Sequence, residues 1–185
     1  MNAPGQAAEA LDAIRHIFRS QKATADGALA QLAAGDLLAI PHEGGNSIAV
    51  IIRHLRGNML SRWTDFLTTD GEKPWRQRDT EFEQPPPETS RDELLRWWEE
   101  GWGVFLATLD SLAPEDLSRT ITIRGQEHTV LEALLRQTHH YGYHTGQLVL
   151  LARWRRGPAW ETLSIARGAS ADYKPSGRHG EARPR

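Results

Sequence analysis

The sequence predicts an all-α fold, a four-helix bundle with a short hairpin-like segment before its last long helix. Three observations carry that reading. Four long stretches place apolar residues at helical spacing, only one short stretch alternates like a strand, and glycine- or proline-containing breaks separate them. At 185 residues the chain suits one domain, with 39% hydrophobic and 25% charged residues, the balance of a water-facing globular chain.

The first helix is expected from Ala7 to about Ala34, with Leu11, Ile14, Ile17 and Phe18 on its apolar face and Gly27 weakening its second half. Gly35–Gly45, with Pro41, reads as a connection. Asn46 or Ser47 then caps a second helix through Ile48, Ile51, Ile52, Leu55, Met59, Trp63 and Phe66, ending near Asp70–Gly71. Residues 72–89 hold Pro74, Pro85, Pro86 and Pro87 among charges and form a long irregular crossover.

Ser90, followed three residues later by Glu93, has a capping-box pattern and opens the third helix, whose apolar face includes Leu94, Trp98, Trp102, Phe105 and Leu109. Arg119–His128 reads as a small hairpin turning at Arg124–Gly125–Gln126. The fourth helix begins around Thr129 and runs through Trp154 to a stop at Gly157–Pro158. A single domain is thus expected over 1–167, with 168–185 as a flexible C-terminal tail poor in apolar anchors.

Composition excludes several functions. No cysteine is present, so disulfides, a cysteine nucleophile and thiolate metal ligands are all ruled out. A formal net charge of -2 argues against binding nucleic acid by phosphate neutralisation, despite the basic run Arg153-Trp154-Arg155-Arg156. Apolar runs such as Ile48–Ile52 are too short to span a bilayer, and Met1–Gln21 lacks the pattern of a signal peptide, so a cytoplasmic location is expected.

What remains for chemistry is eight histidines. His140 and His144 stand at i and i+4, so both rings leave one helix face a turn apart, a spacing that lets two imidazoles bind one ion. His139 points about 100° away. Two solvated or core histidines would show the same spacing, and a third ligand changes the balance. His54 lies on the polar shoulder of the second helix, in line with Ser47, Asn58 and Asp65. His140 and His144 hold the matching shoulder of the fourth helix, between Gln137 and Gln147. The expected metal ligands are therefore His54, His140 and His144, with Asn58, Gln137, Tyr143 and Gln147 as supporting or substrate contacts. Tyr141 reads as core, and Trp75 as a residue pinning the crossover or closing over the pocket. Gly142 and Gly146, at i and i+4, are expected to admit close approach of another helix, in the chain itself or across a dimer interface.

Two of these stretches resemble a known group. Asn46-Ser47-Ile48-Ala49-Val50-Ile51-Ile52-Arg53-His54-Leu55 resembles the second-helix motif of the DinB/YfiT-like superfamily, and His140-Tyr141-Gly142-Tyr143-His144-Thr145-Gly146-Gln147 resembles its fourth-helix motif, HxxxHxGQ. Arg76-Gln77-Arg78-Asp79-Thr80-Glu81-Phe82 and Thr162-Leu163-Ser164-Ile165-Ala166-Arg167-Gly168 resemble a functionally uncharacterised bacterial branch of it. The resemblance covers residues 7–168. It implies an up-down-down-up bundle, often a homodimer, and a three-histidine divalent site on His54, His140 and His144. Zinc, nickel and manganese are associated with the group, as are transferases using bacillithiol and a mycothiol-dependent isomerase.

Three neutral histidines leave a coordination position open, the arrangement of a catalytic site. A chain without cysteine must take any thiol as a low-molecular-weight cosubstrate. No H-E-x-x-H glutamate supplies a general base, which favours thiol transfer over hydrolysis. The alternatives are a metal-dependent hydrolase and a non-catalytic metal- or ligand-binding or stress-response bundle protein.

Overall fold

The computed structural model describes residues 3–173. Five helices, α1 (Ala3–Leu29), α2 (Ala34–Leu37), α3 (Ile48–Trp63), α4 (Arg91–Ser111) and α5 (Val130–Arg156), are joined by single 3₁₀ turns and one hairpin, β1 (Thr120–Ile123) with β2 (Gln126–Thr129). The four long helices form the bundle, and α2 is a single turn within the expected Gly35–Gly45 connection. Residues 174–185 of the expected flexible tail lie outside the described residues.

Side-chain contacts fix the helix directions. Gln21 of α1 bonds Thr138 of α5, and toward and past the C-terminal ends of both helices Gln31 bonds Glu161 and Asp36 pairs with Arg155, so α1 and α5 run parallel. Arg56 pairs with Glu100 and the Trp63 carbonyl accepts from Thr108, so α3 and α4 also run parallel. Arg15 reaches Leu112 while Lys22 reaches Glu99, setting α1 antiparallel to α4. The order is up-down-down-up. Parallel neighbours explain the long crossover, because the chain leaving α3 must travel back its full length before α4 begins.

The core lies between all four long helices. Phe18, Trp63, Trp98, Trp102, Phe105 and Tyr141 are fully buried and meet largely edge-on, as in the Phe18–Phe105 pair with centroids 4.5 Å apart at 80°. Burial of such large rings is the dominant stabilising term, at roughly 25 cal/mol per Å² of apolar surface.

The ends of the helices follow local chemistry. Ser47 Oγ accepts from the Val50 amide and Ser90 Oγ from the Glu93 amide. Thr129 and Glu132 form a reciprocal box at the start of α5, and Gly157, with φ +53°, ends it. Two helices depart from their expected bounds: α1 runs Ala3–Leu29, where Ala7 to about Ala34 was expected, and α3 ends early. α3 stops at Trp63, not near Asp70, because Asp65 adopts φ +49° and its carbonyl collects the amides of Thr68 and Thr69 in a separate turn. The hairpin turns at Arg124 and Gly125, φ +55° and +71°, where Asp70 accepts both of their amides.

Candidate metal centre

α3 and α5 run antiparallel, since His54 faces His140 while Asn58, one turn on, faces Gln137. That register brings three imidazoles together. His140 Nε2 stands 3.2 Å from His54 Nε2 and 3.1 Å from His144 Nε2. His54 and His144 are buried, 4% and 8% exposed, and His140 is half-buried. Two nitrogens bound to a tetrahedral ion at about 2.0–2.1 Å would stand about 3.3 Å apart, close to the spacing found. No other group of three or more histidine, aspartate or glutamate ligands gathers this way among the described residues.

The outer ring nitrogens decide which lone pairs face inward. His54 Nδ1 donates to Glu81 Oε2 at 2.9 Å, because a carboxylate can only accept. His144 Nδ1 lies 2.9 Å from Gln147 Oε1, and the amide oxygen likewise accepts from it. In its neutral form each of these two rings therefore leaves Nε2 unprotonated and pointed at His140. His140 Nδ1 faces the Gln137 Nε2 amide, a donor, at 3.5 Å, the limit of hydrogen-bonding range. Without metal the His140 proton therefore sits on Nε2, between the other two rings, and the ring takes its other tautomer to ligate an ion. Three imidazoles that converge through their Nε2 atoms are a donor set for one divalent cation.

Burial first, and then the facing rings, disfavour the charged forms. His140 is lowered to about 3 by burial, with the charges of His144, His54, Arg62 and Arg76 adding to it. His144 is lowered to about 4, by burial and then His54, against a raising effect from Gln147. At neutral pH both rings are available as ligands without losing a proton.

Behind the histidines lies a buried polar network. Asn58 Oδ1 accepts from Gln137 Nε2 at 2.7 Å and from the Tyr141 hydroxyl at 3.1 Å, and the Tyr141 oxygen accepts from Trp63 Nε1 at 2.8 Å. Tyr141 is fully buried, and burial pushes its hydroxyl up to about 12. Asn58 and Gln137 thus lie against the site but spend their hydrogen bonds on the core. Gln147 touches His144 directly. Tyr143 is 57% exposed, with its ring edge on His144, centroids 4.9 Å apart. Trp75 is 56% exposed, so it does not pin the crossover to the core. The two expected close-approach glycines also divide. Gly142 faces Gln21 of α1, which a Cβ would meet at 3.1 Å, whereas a Cβ at Gly146 would meet nothing within 4 Å.

Fold, motif positions and ligand geometry now agree with one family. Residues 5–169 match the family described as Protein of unknown function (DUF1572). The chain belongs to it. DUF1572 is here a functionally uncharacterised branch of the DinB/YfiT-like superfamily. No curated protein and no solved structure gives a significant match.

The DUF1572 chain holds one part of the site that helical phase did not indicate. A 3₁₀ turn in the crossover, Asp79–Phe82, brings Glu81 into the bundle, where it is 6% exposed. Arg76 grips it from the same segment, Nε to Oε1 at 2.7 Å and Nη2 to Oε2 at 2.8 Å. Burial works against the Glu81 charge, but Arg76 and His54 outweigh it and hold the carboxyl below its usual range. Phe82 lies against the His54 ring, centroids 4.7 Å apart. Gly57 admits the carboxylate, because a Cβ there would run into Glu81, whose carboxyl carbon would be 2.6 Å away. A glycine in the middle of α3, one turn from a candidate ligand, was the available signal. The crossover segment Arg76–Phe82 was notable in the sequence only as a resemblance.

Proposed function

We propose that the protein is a divalent-metal enzyme of the transferase class, which moves an electrophilic group onto the sulfur of a low-molecular-weight thiol. The observation that carries the metal part is the convergence of the three Nε2 atoms, two of them on rings whose Nδ1 faces an acceptor, Glu81 or Gln147. A divalent ion held by His54, His140 and His144 would supply Lewis acidity, lowering the pKa of a ligand in its open position. Zinc and nickel both suit an all-imidazole set, and manganese, which favours oxygen ligands, suits it less.

Two features support thiol transfer over hydrolysis. The chain has no cysteine, so sulfur chemistry needs an external thiol. The buried carboxylate at the site, Glu81, accepts from Arg76 at both oxygens and from His54 at one, and these partners hold its carboxyl low, which makes it a poor base for water. A non-catalytic metal binder is the second reading, supported by the commitment of Asn58 and Gln137 to the core and not to an open pocket. A homodimer in the cytoplasm is the proposed setting.

Metal analysis of purified protein, with a screen of thiols against electrophiles, tests the proposal. One ion per chain, lost in His140→Ala, with thiol consumption by the loaded wild type alone, is the expected result. Stoichiometric metal without turnover would favour the binder. Protein that takes up neither zinc nor nickel would refute both.

A further inference from the structure

We infer that Glu81 is the positioning residue of the metal centre: clamped by Arg76 and seated in the notch at Gly57, it fixes the His54 tautomer that offers Nε2 to the ion. The inference rests on the metal reading above, and adds to it a residue from the crossover, 27 positions away in sequence.

Free neutral imidazole carries its proton on either nitrogen, and only the form with Nδ1–H leaves Nε2 able to ligate. At His54 the choice is made by Glu81 Oε2, 2.9 Å from Nδ1. A carboxylate could do this and still swing away, but this one cannot. Arg76 holds both oxygens in a fork, and the Arg76 side chain is itself 2% exposed. α3 closes the third side, since the space that Glu81 fills exists only because residue 57 has no Cβ. Phe82 lies against the face of His54 and restrains ring rotation.

The charge balance points the same way. Glu81 offsets the positive charge of Arg76, which also bonds Glu72 at 3.4 Å. A cation placed between the imidazoles then meets a buried anion one ring away. Such carboxylate–histidine–metal relays raise ligand basicity, and losing the outer partner typically weakens metal binding by about 10–100-fold. Clamped by Arg76 and turned toward Nδ1, Glu81 acts through His54.

Zinc affinity by chelator competition and the ring tautomer by long-range ¹H–¹⁵N NMR of metal-free protein test this at one neutral pH. In the wild type His54 should show the Nδ1–H form. Glu81→Ala should bind zinc about 10–100-fold more weakly and shift His54 toward Nε2–H. Glu81→Gln, which keeps an acceptor oxygen, should restore the tautomer and part of the affinity. Gly57→Ala removes no polar group from the chain but evicts the Glu81 carboxylate, so it should weaken zinc in the same direction, and it covers the case of an unfolded Glu81→Ala. Wild-type zinc affinity in both Glu81→Ala and Gly57→Ala, or an unchanged tautomer in Glu81→Ala, would overturn the inference. Failure of the wild type to bind zinc would refute the metal reading instead, and the tautomer would still decide what Glu81 does to His54.

Discussion

Tyr141 joins the site to the core through one hydroxyl, which donates to Asn58 and accepts from Trp63. Tyr141→Phe keeps the ring packing and leaves the Trp63 indole N–H buried without its acceptor. The expected cost is about 1–3 kcal/mol, read from urea unfolding, because an unpaired buried donor loses its hydration and gains nothing. Tyr143 makes the opposite case. Being largely exposed, it should tolerate Tyr143→Ala within about 0.5 kcal/mol in the same experiment. At this scale the sequence shows much of the site. Helical phase alone pairs His140 with His144 and sets His139 aside, and in the structure His139 is exposed. The same phase puts His54 and Asn58 on one face. It is silent on Glu81 and Arg76, because an irregular crossover has no period and its side chains can reach any neighbour the loop passes.

Glycines separate the elements that touch closely from those that do not. A Cβ at Gly101 of α4 would lie 3.0 Å from Arg56 Cα, and backbone cannot yield as a side chain can. Gly101→Ala should therefore destabilise the α3–α4 pairing despite the better helix propensity of alanine. Gly146→Ala, on an exposed turn of α5 with nothing within 4 Å, should stabilise by about 1 kcal/mol. Thermal melts of the two variants should move in opposite directions, and a loss of stability in Gly146→Ala would mean that something packs there in solution. At the next turn of this hierarchy, Thr129→Ala removes the box at the start of α5, with an expected cost of about 1 kcal/mol by denaturant titration. Element identities were legible from apolar spacing. The end of α3 was not, since Phe66 continues that spacing while Asp65 has already turned the backbone out of the helix.

Two histidines of the whole molecule, His140 and His144, resist protonation in the folded state, and this gives its stability a pH dependence. An unfolded histidine takes its proton near 6.5, whereas His140 and His144 hold off to about 3 and about 4. Between those values the unfolded chain binds more protons, so their contribution is fully present above about pH 6.5 and declines as pH falls through the window. Denaturation midpoints of metal-free protein should drop accordingly from pH 7 to pH 4, and the double variant His140→Ala/His144→Ala should flatten that slope. Metal acts in the other direction. An ion bound only by the folded state adds about 2.7 kcal/mol at a hundred times its Kd, so melting temperatures should rise on adding zinc or nickel. The up-down-down-up order was legible only through the family resemblance; in the structure it goes with the longest connection, residues 64–90, lying between the parallel α3 and α4.

X-ray absorption at the metal edge of stoichiometrically loaded protein tests the central claim most directly. A first shell with three imidazole nitrogens at about 2.0–2.1 Å, reduced to two in His54→Ala, is the predicted result for zinc. A shell with fewer than three imidazoles in the wild type, or one unaltered by His54→Ala, would contradict it.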